Sequence, residues 1–143
     1  MKLTIYTDGG ARGNPGPAAT GVVIKDAKNK TLASYGEYLG AQTNNFAEYS
    51  AVISGLKKAK EFGATEVECI MDSELVMKQM RQEYRVKEPT LQKLFIQAYN
   101  AAAQFKKVAY KHTRRENNKA ADAEVNKILD QPPSSRLKPI RES

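Results

Sequence analysis

The sequence contains no tryptophan, one cysteine, one histidine and no long apolar run. A single cysteine excludes an intrachain disulfide, and Cys69, set inside the apolar segment VECIM, reads as a buried structural thiol. With one Cys and one His, a Cys/His zinc site has no ligand set to draw on. No segment approaches the ~20 apolar residues of a membrane span. The chain starts directly on a strand-like pattern rather than a leader, so a cytoplasmic protein with no membrane partner is expected. What is present fits one globular domain: 143 residues, 41% hydrophobic and 27% charged. A chain of that size buries about two-thirds of its unfolded surface. Twenty-three Lys and Arg against 16 Asp and Glu give a net charge of +7, which tilts the expected partner toward a polyanion.

Apolar periodicity divides the chain into alternating elements. KLTIYTD (2–8) alternates as a first strand, GGARGNPGP (9–17) reads as a Gly/Pro loop, and ATGVVIKD (19–26) and TLASYGEYLG (31–40) complete an antiparallel meander. Thr43-Asn44-Asn45 caps a long helix whose Phe46, Tyr49, Ile53, Leu56 and Ala59 recur at helical spacing, with Gly63 closing it. VECIM (67–71) reads as a strand buried on both faces, followed by a short helix capped by Ser73 and a longer one, 89–105, opened by Pro89. KKVAYKH (106–112) and NNKAADAEVNKIL (117–129) supply a last strand and a last helix. The order βββαβααβα predicts an α/β fold with a mixed five-stranded sheet and right-handed crossovers. The domain is expected over 1–130. Residues 131–143, rich in proline and basic side chains, are expected as a flexible tail.

Four acids stand where elements begin or end: Asp8 and Asp72 after short apolar runs, Glu48 and Asp122 in the first turns of helices. Each alone reads equally well as a turn or helix-dipole residue. If the first and fourth strands are adjacent and parallel, however, Asp8 and Asp72 meet at the carboxyl end of the sheet, where open α/β sheets place ligands. Clustered carboxylates repel by roughly 1 kcal/mol per close pair in water, and more in a cleft, unless cations neutralise them. An all-oxygen set suits Mg²⁺ or Mn²⁺. Two such ions about 4 Å apart support in-line phosphoryl displacement.

The segments YTDGGARGNPGPAATG, TNNFAEYSAVISGL, MDSELV and KHTRRENNKAAD, in this order and spacing over residues 1–129, resemble type 1 ribonuclease H. The resemblance implies a ribonuclease H-like fold with strand order 3-2-1-4-5. It also implies endonucleolytic cleavage of the RNA strand of RNA–DNA hybrids with two Mg²⁺ ions, Mn²⁺ substituting, leaving 5′-phosphate and 3′-hydroxyl ends. By the same resemblance Asp8, Glu48, Asp72 and Asp122 are the metal-binding carboxylates. His112, ten residues before Asp122, assists proton transfer or product release. Gly9, Gly10 and Gly13 let backbone amides approach a phosphate or 2′-hydroxyl, and Asn14 reaches both strands in the minor groove. Thr43 helps bind a DNA phosphate, and Asn44 and Asn45 contact the DNA side.

One departure is plain. The Trp-containing, Lys-rich handle of many family members is replaced by RQEYRVKEP (81–89), as in shorter bacterial and archaeal forms without the basic protrusion. Tyr84, Arg85 and Lys87 are candidates to substitute for it. Three functional readings stand: a hybrid-cleaving nuclease acting as a monomer, with double-stranded RNA a second candidate substrate; a noncatalytic hybrid- or double-stranded-RNA-binding module; and a resolvase- or transposase-type nuclease core. The intact carboxylates and His112 favour the first.

Overall fold

The computed structural model describes residues 1–133 and 136. Most of the expected tail, 134, 135 and 137–143, lies outside the described residues. Five strands, β1 (Lys2–Ala11), β2 (Gly16–Lys25), β3 (Thr31–Gln42), β4 (Glu66–Met71) and β5 (Lys107–His112), form one sheet ordered β3-β2-β1-β4-β5. β1, β2 and β3 pair antiparallel, and β4 is parallel to both β1 and β5. Helices α1 (Asn44–Glu61), α2 (Glu74–Met80), α3 (Pro89–Ala102) and α4 (Lys119–Leu129) complete the fold. Among the described residues, no helix is long and apolar enough to cross a membrane.

The helical spacing read in α1 is the spacing it buries: Tyr49, Ile53, Leu56 and Ala59 pack with Leu3, Ile5, Val22 and Val67 in the main core. Thr43 caps it by accepting a hydrogen bond from the Phe46 amide at 3.1 Å, and Gly63 follows it with φ +86°. A smaller cluster of Ala19, Val125 and Leu129 seats α4 against the sheet.

The structure differs from the sequence expectation at several boundaries. The hairpin ladder runs on through the Gly/Pro segment, with Gly9 opposite Thr20, Gly10 opposite Ala19 and Ala11 opposite Ala18, so only residues 12–15 form the turn. Gly9 there signals close approach of α1, while Gly13, with φ +96°, and Gly16, against the Arg12 carbonyl, serve the turn. α3 stops at Ala102, because the chain turns to bury Phe105. α4 starts at Lys119 after a separate 3-10 turn, Arg115–Asn117. Arg136, from the expected tail, folds back: its Nη2 donates to the Leu129 carbonyl at 3.0 Å and its guanidinium lies 5.4 Å from the centre of the Tyr38 ring.

Candidate metal centre

Strand register brings the first two carboxylates together. The β1–β4 pairing ends at Thr7 opposite Met71, so the next residues on the two parallel strands are Asp8 and Asp72. Asp8 is not at the end of its strand, as expected from the sequence, but inside β1, one residue past that parallel pairing. Two glycines decide which backbones reach it. A Cβ on Gly9 would overlap the Ala47 carbonyl and the Glu48 nitrogen, so the bare Cα lets α1 rest directly on β1. A Cβ on Gly21, the residue opposite Asp8, would overlap the Ala121 carbonyl, so α4 sits equally close on the other side. Glu48 and Asp122 are thereby delivered to Asp8 by helix–strand contacts one residue away from each. α1 begins at Asn44, so Glu48 falls in its second turn, deeper than the first-turn placement expected; Asp122 is in the first turn of α4, as expected.

Ligand oxygens of Asp8, Glu48 and Asp72 all lie within 4.8 Å of one another. Asp122 is not in this tight group, but it lies beside Asp8. Burial pushes the Asp8 carboxyl up to about 8, helped by the charge of Asp72 and by Asp122, which accepts a hydrogen bond from the protonated form. The Glu48 carboxyl is also raised well above its ordinary value, by burial first and then by the charges of Asp8 and Asp72, with Arg115 opposing. The Gly9 amide donates to Asp8 Oδ1 at 3.0 Å. Asp72 Oδ2 is buried with no hydrogen-bond partner among the described residues. A divalent cation fits this set. All donors are carboxylate oxygens and one is orphaned, and a contraction of a few tenths of an ångström from 4.8 Å brings them within the roughly 4.2 Å spanned by oxygens sharing one Mg²⁺ at about 2.1 Å.

His112 closes the β4–β5 ladder opposite Met71, one residue before Asp72, and is exposed at the same sheet edge. The polar segments expected to meet substrate form one surface. Asn14 Oδ1 accepts from the Asn44 amide at 3.0 Å, and Asn44 Oδ1 accepts from the Ala11 amide at 2.8 Å. Thr43, Asn44, Gly13 and Asn14 are exposed there, with Asn45 half-buried. Sequence reading missed Arg115, which the 3-10 turn places near Glu48, and Asn118. The buried Asn118 leaves its capping position unused and donates from Nδ2 to the Thr7 carbonyl at 2.9 Å, tying the start of α4 to the residue before Asp8. Neither had a local signal, because both act across more than 60 residues of chain.

Residues 6–128 match the family model described as reverse transcriptase-like. Ribonuclease H1 of Halobacterium salinarum has a crystal structure that superposes with a TM-score of 0.89 at 37% identity, covering 91% of this chain and 98% of that one. The chain belongs to the type 1 ribonuclease H family. A ribonuclease H1 recovered from compost, LC11, was crystallised in complex with an RNA/DNA hybrid; it is 46% identical, with a TM-score of 0.85, covering 90% of this chain and 96% of that one. A bifunctional protein of Mycobacterium tuberculosis is 45% identical over 131 residues, 91% of this chain, which spans 36% of that curated relative's length.

Within this family the chain has the form without a basic protrusion. The connection between α2 and α3 is short and held by side chains: Gln79 Nε2 donates to the Arg85 carbonyl at 3.1 Å and Gln92 Nε2 to the Val86 carbonyl at 2.8 Å. Gln79 in turn accepts from the buried Tyr49 hydroxyl at 2.6 Å. Tyr84 is exposed on this connection with the Lys78 ammonium 5.0 Å from its ring centre.

Proposed function

We propose that this protein is a metal-dependent endoribonuclease that hydrolyses the RNA strand of RNA–DNA hybrids, leaving 5′-phosphate and 3′-hydroxyl ends. The observation that carries this is the convergence of Asp8, Glu48 and Asp72 within 4.8 Å at the edge of a ribonuclease H sheet. The hybrid as substrate rests on the related LC11 enzyme having been crystallised with one.

In this reading Asp8, Glu48, Asp72 and Asp122 hold Mg²⁺, or Mn²⁺ in its place. The chemistry supplied by two bound divalent cations is activation of a water and stabilisation of the leaving oxygen. Asp8 is common to both parts of the set, within 4.8 Å of Glu48 and Asp72 and beside Asp122. His112, exposed at the same edge, takes or gives a proton at the product side. Gly13, Asn14, Thr43, Asn44 and Asn45 bind the hybrid; the Asn44 and Phe46 amides are already engaged by Asn14 and Thr43, so a DNA phosphate is taken by the Thr43 hydroxyl proton and the Asn45 amide. The Gly9 amide is committed to Asp8 and its bare Cα admits α1, while Gly10, beside it, leaves a low surface for substrate backbone. The protein works as a monomer in the cytoplasm.

The test is a panel of labelled RNA–DNA hybrid, double-stranded RNA and double-stranded DNA, each with Mg²⁺, Mn²⁺ or chelator. Metal-dependent cutting of the RNA strand of the hybrid is expected, with no cutting in chelator. Hybrid binding without cleavage in either metal would instead identify a noncatalytic module. Cleavage of double-stranded DNA would point to a resolvase-type core.

A further inference from the structure

Asp122 is the one carboxylate of the four that stands outside the tight group, at the start of α4 beside Asp8. Something must keep it facing the site. Along α4, Asp122, Asn126 and Asp130 are spaced at i, i+4 and i+8 and share one face. Asn126 Nδ2 donates to Asp122 Oδ2 at 3.2 Å. From the β1–β2 turn, Arg12 reaches the same stripe: Nη1 donates to the Leu129 carbonyl at 3.0 Å, and Nη2 donates to Asn126 Oδ1 at 3.4 Å and pairs with Asp130 Oδ1 at 2.6 Å.

We propose that Asn126 and Arg12 are positioning residues, Asn126 holding the Asp122 carboxylate toward the metal centre and Arg12 fixing the amide of Asn126. An amide has one donor end and one acceptor end. With a carboxylate on one side and a guanidinium on the other, only one orientation satisfies both; flipped, it opposes oxygen to oxygen and N–H to N–H. Arg12 therefore selects the orientation that donates to Asp122. One oxygen of Asp122 is tethered in this way and the carboxylate cannot swing away from Asp8. The anchor for Arg12 is itself firm. The Leu129 carbonyl belongs to the last turn of α4, whose acceptors lack partners within the helix, and the fork geometry of a guanidinium reaches it and Asn126 together. The same hairpin turn carries Gly13 and Asn14, and Asn14 is bonded to the start of α1. Arg12 thus links the surface proposed to hold the hybrid to the fourth carboxylate. The relay rests on the functional reading of Asp122 given above.

The experiment uses the full chain and the variants Asn126→Ala, Asn126→Gln, Arg12→Ala, Arg12→Lys, the double Arg12→Ala/Asn126→Ala, and Asp122→Asn. Partners that orient metal ligands typically contribute 10–100-fold to activity or metal affinity, and an exposed tether belongs at the low end. Asn126→Ala is expected to lower kcat on hybrid about tenfold with KM unchanged within about twofold, and Asn126→Gln, which keeps an amide donor at i+4, to recover most of it. Arg12→Ala and Arg12→Lys should each lower kcat about threefold, Lys failing because it lacks the fork. The double variant should be no slower than Asn126→Ala, since Arg12 acts through Asn126. Without metal or substrate, the side-chain amide proton resonances of Asn126 should move in Arg12→Ala and in Asp122→Asn. Turnover of Asn126→Ala within twofold of wild type, losses that multiply in the double variant, or unmoved amide resonances would each overturn the relay. If Asp122→Asn cleaves as wild type does, the assignment of Asp122 fails and the relay's function fails with it. If Asp122→Asn is inactive while Asn126→Ala is not, the relay alone fails.

Discussion

Replacing Asp8 by Asn should stabilise the metal-free protein while abolishing its activity, and the stabilisation should depend on pH in a defined way. Asp8 is 6% exposed, and its carboxyl is lifted from the ordinary 3.8 to about 8 by burial, then by Asp72 and Asp122. A carboxyl with a raised folded-state pKa favours folding fully below its unfolded value, and that contribution is lost as pH rises through the folded value. The metal-free wild type should therefore lose stability between about pH 4 and pH 8. Each tenfold change in proton affinity corresponds to about 1.4 kcal/mol, so the displacement sets a ceiling of roughly 6 kcal/mol. Relaxation and water entry at a buried charge cut this severalfold, leaving about 2 kcal/mol. Asn keeps the acceptor that the Gly9 amide uses and removes the charge. At roughly 3–4 °C per kcal/mol for a chain of this size, Asp8→Asn should melt about 6–8 °C above wild type at pH 8.5 in chelator, and within about 2 °C of it at pH 4. Excess Mg²⁺ should shrink or reverse the difference, because only the wild type gains the full binding free energy. Thermal unfolding followed by circular dichroism over pH 4–8.5, with chelator and with Mg²⁺, makes the measurement. An Asp8→Asn variant no more stable than wild type at pH 8.5 without metal would refute the reasoning.

Other outcomes follow from the same geometry. His112→Ala should lower kcat by about 10²-fold or more and leave KM for hybrid within about threefold, as expected for a proton-handling group; raised KM with unchanged kcat in steady-state kinetics would make it a binding residue instead. Gly21→Ala should destabilise by several kcal/mol in urea unfolding, because the new Cβ overlaps the Ala121 carbonyl and forces α4 off the sheet; a loss below about 1 kcal/mol would show that α4 moves freely there. Without a basic protrusion few phosphates are neutralised, so log K for hybrid against log salt should have a slope on the order of −2 to −4, and a slope near −8 would mean an unrecognised basic surface. Arg136→Ala should lower Tm by a few degrees, about 1 kcal/mol, through loss of its Leu129 and Tyr38 contacts while leaving that slope unchanged; a flatter slope would place Arg136 on the hybrid.

Much of this site was legible in the sequence because an acid placed at the end of an apolar strand pattern is a local signal. KLTIYTD ends on Asp8 and VECIM is followed directly by Asp72, so once the two strands are parallel neighbours their carboxylates meet. The Thr43 cap and the apolar face of α1 were equally local. The hairpin boundary was misplaced because Gly9 reads locally as punctuation, when its bare Cα admits the α1 backbone against the sheet. Nothing near Glu48 in the chain says that it lies one turn deeper yet still reaches Asp8, because Gly9 sets that distance. Arg12, Asn118 and Asn126 were invisible for the same reason. Arg12 and Asn118 work through bonds spanning 111 to 117 residues, and Asn126, although only four residues from Asp122, matters through Arg12.

The central claim is that the converging carboxylates carry metal-dependent cleavage of RNA in a hybrid. Its most direct test is single-turnover cleavage of an end-labelled hybrid by wild type and Asp72→Asn, at enzyme concentrations where both bind the substrate fully, over a range of Mg²⁺. The account predicts RNA-strand cleavage by wild type that saturates with Mg²⁺, and a rate for Asp72→Asn at least about 10³-fold lower, about 4 kcal/mol of transition-state stabilisation, with hybrid affinity retained. A cleavage rate for Asp72→Asn within tenfold of wild type would contradict it.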